Sequence, residues 1–310
     1  MQTLTVVVPV YNEVEVLPAF HCRLSDALAQ LDVDGCVLYV DDGSDEACAT
    51  KLRELAQEND DVGLLVLSRN FGKEVAVSAG LDHAQGDAVV LIDADLQDPP
   101  ELIAEFVQQW RAGYDVVYGQ RTERRGDSAF KRTSASGFYR LLAMLSDVDI
   151  PRDVGDFRLL SRRAVEALKS LPERHRYMKG LYAWIGFPQV GVPYVREPRA
   201  SGDSKWNYWR LWNFAMEGIT SFSELPLKVA TYLGMLVSSF SFLYGLFMIV
   251  RTLIWGNPVP GYPSLVVIVL FLGGVQLMCL GVMGEYLART YTESKGRALY
   301  FTREFHPPRD

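Results

Sequence analysis

Two carboxylates, Asp93 and Asp95, stand two residues apart directly after the apolar run Ala88–Ile92, followed by Gln97 and the pair Pro99-Pro100. Hard oxygen donors of this kind suit Mg²⁺ or Mn²⁺, which proteins typically hold with one or two carboxylates together with the phosphates of a substrate. On an extended chain the spacing places Asp93 and Asp95 on one side, with Gln97 one step further along. An isolated D-x-D also fits a solvated acidic turn, so its meaning depends on its companions.

Three companions have the same placement. Pro9-Val10-Tyr11-Asn12-Glu13 closes one apolar run and Asp41-Asp42-Gly43-Ser44 closes the next. Carboxylates at the tips of parallel strands gather over one crevice, where they can hydrogen-bond a base or ribose. Either motif alone fits a turn or helix cap, with Ser44 or Asp45 opening the following helix. The third is Gly155-Asp156-Phe157-Arg158-Leu159, an acid after a glycine in a chain expected to turn helical. Positive charge is also concentrated: Arg121, Arg124, Arg125, Lys131 and Arg132 crowd together in a chain whose net charge is −7, which points to an anionic ligand nearby. For Arg124 and Arg125 simple solvation is the competing explanation. For Lys205, in Ser204-Lys205-Trp206, a phosphate contact and a surface salt bridge compete.

The elements that position these residues alternate. Leu4–Val10 reads as a strand, Leu17, Phe20, Leu24, Leu28 and Leu31 recur at helical spacing, and Val37–Val40 is the next strand. A helix through Leu52 and Leu55 follows, then strand Val62–Leu67, helix Glu74–Ala84, strand Ala88–Ile92, helix Pro100–Arg111 and strand Tyr114–Tyr118. This rhythm predicts an α/β, Rossmann-like, mostly parallel sheet over residues 1–200.

The remainder is different. Val229–Val250 and Thr252–Gly284 contain no Asp, Glu, Lys or Arg, and Asn257-Pro258-Val259-Pro260-Gly261 supplies a turn. Two transmembrane helices are expected, near 227–253 and 263–286, within a membrane segment 227–286. A helical hairpin buried in a soluble domain is the alternative. Residues 201–226 form a juxtamembrane amphipathic segment that holds Trp206, Trp209 and Trp212, half of the chain's six tryptophans, and 130–145 is a second interfacial stretch; core packing is the competing role for both. The tail 287–310 carries Arg289, Lys295, Arg297, Arg303 and Arg309, whereas the connecting loop has no positive charge after Arg251. That asymmetry places both termini and the catalytic domain in the cytoplasm. No signal peptide precedes Met1, which agrees. Cys22, Cys36, Cys48 and Cys279 lack metal or disulfide spacing and suit a reducing compartment. The acidic balance argues against a nucleic-acid partner. Gly273, Gly274, Gly281 and Gly284 permit close helix packing and hence a homo-oligomer.

Taken together, Pro9–Glu13, Asp41–Ser44, Asp93–Pro100, Gly155–Leu159 and Ser204-Lys205-Trp206 resemble the family 2 inverting glycosyltransferases of GT-A fold. More narrowly, the chain resembles the polyprenyl-phosphate glycosyltransferases, which include dolichyl-phosphate mannose synthases and bacterial bactoprenol glucosyltransferases ending in two membrane helices. Gly119-Gln120-Arg121, Leu171-Pro172-Glu173-Arg174 and Met178-Lys179-Gly180-Leu181 resemble the bactoprenol glucosyltransferases of O-antigen modification, which implies UDP-glucose as donor and undecaprenyl phosphate as acceptor. Mannose, galactose, N-acetylglucosamine and an aminoarabinose derivative are donors used by relatives.

The resemblance implies that Pro9, Tyr11, Glu13 and Asp42, with Asp41 as a substitute, line the nucleotide pocket. It implies that Asp93, Ala94 and Asp95 face the diphosphate, with Asp95 the more direct metal ligand, assisted by Asp93 and Gln97. Arg121 and Arg132 would hold the acceptor phosphate, joined by Ser136 and Lys205. Asp156 is the implied catalytic base. A phosphate monoester, largely dianionic at neutral pH, needs no strong base, so orienting the acceptor or a basic side chain is the alternative role. The expected setting is the cytoplasmic leaflet of a bacterial inner membrane. A processive polysaccharide synthase would share the sheet, but the chain has no Q-x-x-R-W sequence and too few spans for a polymer channel; a non-catalytic nucleotide-binding membrane scaffold is the other rival.

Overall fold

The structure is a computed structural model and describes residues 1–122, 154–174, 176–195, 225–256 and 261–308. Eight strands form one sheet in the order β7-β5-β6-β4-β1-β2-β3-β8. Strands β1 (Thr3–Val10), β2 (Asp34–Asp41), β3 (Val62–Leu67) and β4 (Ala88–Leu91) are its parallel centre. Their side chains alternate between two apolar layers. Val6 and Val8 pack with Phe20 and Leu24 of α1 (Leu17–Ala29), Leu52 of α2 (Glu46–Glu58) and Phe106 of α4 (Ile103–Arg111). Val7 and Leu38 face the opposite layer, with Ala76 and Val77 of α3 (Lys73–His83), Leu168 of α5 (Arg162–Ser170) and Leu181 of α6 (Met178–Trp184). Both faces are covered, which is why the central strands read as continuous apolar runs.

The expected rhythm holds through α4, with its first turn, Pro100–Leu102, wound as a 3₁₀ helix. Beyond it the structure adds three features. The strand expected at Tyr114–Tyr118 is present as β5 (Val116–Arg121), separated from β4 by one strand. The motif around Gly155 and Asp156, expected just before a helix, lies on β6 (Val154–Ser161), which inserts antiparallel between β4 and β5. The helix starts only at Arg162, where Ser161 caps α5 by accepting from Ala164 N. Strand β7 (Gln189–Tyr194) then runs parallel to β5 and pairs Tyr194 with Arg121.

The third feature concerns the tail. Residues 302–306 form β8 (Thr302–His306), antiparallel to β3 at the opposite edge of the sheet. Arg53 donates to both Glu304 oxygens, at 3.2 and 3.1 Å, and Tyr300 donates to Asp82 at 2.9 Å. Part of the basic tail is therefore a structural edge strand, polar apart from Phe305, whose ring meets His83 edge-on at 4.8 Å.

Between sheet and tail lie α7 (Leu225–Trp255) and α8 (Tyr262–Ser294), both longer than the expected spans 227–253 and 263–286. Their 31 and 33 residues correspond to roughly 46 and 50 Å, enough to cross a hydrocarbon core of about 30 Å. Phe240, Phe242, Leu253 and Leu280 are among many large apolar side chains left exposed on them. A hairpin buried in a soluble domain would enclose such residues, so that alternative is excluded, and the pair has the character of a membrane anchor. The segments 130–145 and 201–224 lie outside the described residues.

Candidate active site

The carboxyl ends of β1, β2 and β4 open onto a cleft of about 250 Å³ lined by Pro9, Tyr11, Glu13, Asp42, Lys73, Asp93, Ala94 and Asp95, with Val10, Asn70, Gly72 and Ala76 completing the wall. Pro9 ends β1. Beyond it Asn12 adopts φ 55° and joins two strand-end loops: its N–H donates to Ser44 Oγ at 3.0 Å and its Oδ1 accepts from Asp45 N at 2.8 Å. Tyr11 is left half-exposed at the rim. The Glu13 carbonyl accepts from Val16 and Leu17 as α1 begins.

The two neighbouring aspartates part company. Asp41 is buried and accepts from Ser44 N at 2.9 Å, a turn-forming bond, and it is not among the residues lining the cleft. Asp42 reaches the cleft and accepts from Phe71 N at 2.7 Å and Gly72 N at 2.9 Å. Burial raises its carboxyl above the usual range, partly offset by those two N–H groups. Asp45, rather than Ser44, caps α2 by accepting from Cys48 N. Gly43 makes the crossing feasible: at φ 71°, a Cβ there would stand 2.5 Å from the Arg69 carbonyl carbon and the Asn70 nitrogen. Asp42 thus fixes the Asn70–Gly72 loop that delivers Lys73.

The D-x-D segment is not extended. Strand β4 stops at Leu91, the chain turns at Ala94-Asp95, and Leu96 takes φ 60°. Asp95 Oδ1 accepts from Gln97 N at 3.1 Å, closing the turn. This turn, rather than the pleat of a strand, brings Asp93 and Asp95 to one cleft, and Gln97 is not among the lining residues. Asp95 is buried, whereas Asp93 retains partial exposure.

Asp156 joins them through β6. Leu91 and Arg158 are the last pair of the antiparallel register, so Asp156, two residues beyond on β6, lies at the same end of the sheet as Asp93. Lys73 Nζ donates to both, at 2.7 Å to Asp93 Oδ2 and 2.6 Å to Asp156 Oδ2. Although burial disfavours the ammonium, the two carboxylates outweigh it and hold Lys73 above the ordinary lysine value. Burial likewise opposes ionisation of Asp156, but Lys73 and then Lys179 prevail and hold its carboxyl well below the usual range. A carboxylate so stabilised is a weak base, which favours the orienting role for Asp156.

Behind this group lies a charged layer. Glu74 accepts from Met178 N at the start of α6; burial, then the charge of Asp156, push its carboxyl up to about 8. Arg158 is buried, donates to the Gly155 carbonyl at 2.8 Å and lies 3.5 Å over the Tyr182 ring, a cation–π contact. Arg121 ends β5 and donates Nε to Tyr194 Oη at 3.3 Å, while Tyr194 donates to buried Asp98. Arg132, Ser136 and Lys205, together with Arg124 and Arg125, lie outside the described residues. Those described place one hard-ligand pair, Asp93 and Asp95, at the cleft, and among them no group of three or more His, Cys, Asp or Glu side chains is clustered to cage a metal.

Reading the sequence by motif misses Lys73, Glu74, Asp98 and Tyr194. Lys73 does leave a trace. It occupies the first position of α3, directly after Gly72, where the positive helix end disfavours a cation. A lysine there calls for carboxylate partners from elsewhere in the chain.

Comparison with known proteins agrees with this geometry. Residues 5–169 match the Glycosyl transferase family 2, and residues 225–290 match the GtrB C-terminal hairpin. A glycosyltransferase of Synechocystis sp. is 51% identical over 301 residues, covering 97% of this chain and 95% of that protein. The SfII prophage-derived bactoprenol glucosyl transferase of Shigella flexneri is 48% identical over 303 residues, 98% of each. A prophage bactoprenol glucosyl transferase homolog of Escherichia coli K12 is 47% identical over 302 residues, 97% and 98% respectively. With a GT-A sheet, acidic strand ends around one cleft, and matches of this extent over nearly its whole length, the chain belongs to the family 2 glycosyltransferases.

Proposed function

We propose that the protein transfers a single sugar, glucose from UDP-glucose, to a polyprenyl phosphate in the membrane, with inversion at the anomeric carbon. One arrangement carries this reading. The cleft that gathers Asp42, Asp93 and Asp95 belongs to a chain whose apolar hairpin is followed by a strand of the same sheet. The bactoprenol glucosyl transferases at 47–49% identity support the acceptor and the sugar.

In this reading Tyr11, half-exposed at the rim, stacks on the base, and Asp42 and Glu13 accept from the nucleoside. The residues fit a divalent cation: two hard carboxylates on one turn suit Mg²⁺ or Mn²⁺ completing its shell from phosphates and water rather than from a protein cage. Asp95 and Asp93 would hold it, with Gln97 closing the turn behind them, and a cation held there would supply charge neutralisation for the departing diphosphate. Lys73 adds a second positive charge on the same side and orients Asp156. A phosphate oxygen of the acceptor forms the new bond to the anomeric carbon as the bond to the diphosphate oxygen breaks, releasing UDP. Arg121 and, in the same role, Arg132, Ser136 and Lys205 hold that phosphate; an arginine fork matches its oxygens. Asp156, held ionised, orients this assembly, and the dianionic acceptor needs no base.

Pairing of the tail with β3 supports a hairpin that enters and leaves the bilayer on the side of the catalytic domain, and positive tail residues favour the cytoplasmic side. The anchor keeps domain and lipid phosphate at one level, which supplies proximity.

The test is incubation of the purified protein with radiolabelled UDP-glucose, Mn²⁺ and undecaprenyl phosphate. A lipid product bearing one sugar, inverted at the anomeric carbon and lost on chelation of the metal, is the expected result. A ladder of products would instead indicate a polymerase, and no product with any donor of a nucleotide-sugar panel would indicate a binding scaffold.

A further inference from the structure

Arg121 sits in a berth built by Tyr194, Asp98 and Gly155, none of which lines the donor cleft. Strand register sets Arg121 beside Tyr194 on β7. The Tyr194 hydroxyl has one proton and gives it to Asp98, whose side chain is buried, so a lone pair remains to accept Arg121 Nε at 3.3 Å. On the other side, a Cβ built on Gly155 would lie 2.6 Å from Arg121 Nη2. The guanidinium therefore occupies the space that a side chain at 155 would take, one residue from Asp156. The Tyr194 ring is itself seated by small neighbours: a Cβ at Gly119 would stand 2.8 Å from it, and Phe157 meets it edge-on at 6.2 Å between ring centres.

We infer that Tyr194, backed by Asp98, and the bare backbone of Gly155 are positioning residues that hold Arg121 in the orientation that receives the acceptor phosphate. The inference rests on the proposed role of Arg121. A guanidinium on a flexible stem must be ordered before it can present its fork to a phosphate, and fixing it beforehand lowers the cost of binding. The Asp98–Tyr194–Arg121 chain also ties this residue to the loop that carries Asp95. Donor and acceptor ends of the site thereby share one scaffold.

Steady-state kinetics on the full-length protein in detergent, with undecaprenyl phosphate and UDP-glucose varied separately, test this. Tyr194→Phe keeps the ring and removes the hydroxyl; the expected result is a rise of about tenfold in KM for the lipid phosphate, with KM for UDP-glucose within about twofold. Gly155→Ala should act in the same direction. Arg121→Ala should raise the same KM further, and Arg121→Ala combined with Tyr194→Phe should be no worse than Arg121→Ala alone, because the hydroxyl acts through the arginine. An unchanged lipid KM in both Tyr194→Phe and Gly155→Ala, or full additivity in the double variant, would overturn the inference. If Arg121→Ala itself leaves the lipid KM unchanged, the acceptor role of Arg121 fails instead. Thermal midpoints of all variants separate misfolding from a kinetic effect, and an equal rise in both KM values would assign Tyr194 to the fold alone.

Discussion

Asp156 on β6 and Asp93 on the turn after β4 share one ammonium, Lys73 Nζ, which binds their carboxylates at 2.6 and 2.7 Å. Without that cation, two acidic groups from different elements would lie together at the mouth of the cleft. Lys73→Met should therefore lower kcat by about 10²–10³, the usual scale for loss of one preorganised charge. Lys73→Arg should recover part of it. Rates with saturating donor and acceptor check both, and Lys73→Met within threefold of wild type would remove Lys73 from the site.

Asp156 gives a prediction about pH. Its carboxyl is held below the ordinary range, so it stays ionised through the acid and neutral region. Activity should fall below about pH 6, where the acceptor phosphate gains its second proton. Asp156→Asn should lower kcat and leave that limb where it is. Disappearance or displacement of the limb in a pH–rate profile of Asp156→Asn would restore the base assignment.

Glu74 should make stability depend on pH in the opposite sense to an ordinary carboxylate. Its folded value is pushed up to about 8, whereas an unfolded glutamate titrates near 4.5. Between those values the unfolded state releases a proton that the folded state keeps, so stability falls as pH rises, by at most about 1.4 kcal/mol per pH unit from this group. Glu74→Gln should flatten that slope between pH 5 and 8. Thermal midpoints across the range provide the comparison.

The pair between Arg53 on α2 and Glu304 on β8 should hold the tail to the sheet. Arg53→Glu places like charges together and should cost about 1 kcal/mol, the scale of a partly exposed pair, with faster proteolysis of the tail. Exchanging both residues, Arg53→Glu with Glu304→Arg, should recover most of the loss. A double variant as weak as the single one would show that the strand pairing, rather than the ion pair, anchors the tail.

Local sequence determined much of this protein. Apolar runs with turn residues between them specify the parallel centre of the sheet, because the periodicity of strand and helix is written within each segment. The strand-end carboxylates were legible for the same reason: Asp42, Asp93 and Asp95 follow directly on β2 and β4. The uncharged lengths Val229–Val250 and Thr252–Gly284 marked the hairpin, since crossing a bilayer is a matter of length and composition. Tertiary structure alone decided what depends on strand order. Nothing near Gly155 in the chain indicates that β6 runs antiparallel between β4 and β5, yet that insertion brings Asp156 to Asp93 and Arg121 to Gly155. Nothing local in Thr302–His306 separates an edge strand from a polar tail, because its partner, β3, lies far back in the sequence and its exposed side chains carry no apolar pattern. Pairings between distant segments are chosen by the whole sheet, and Lys73, Tyr194 and Arg53 acquire their partners only once that choice has been made.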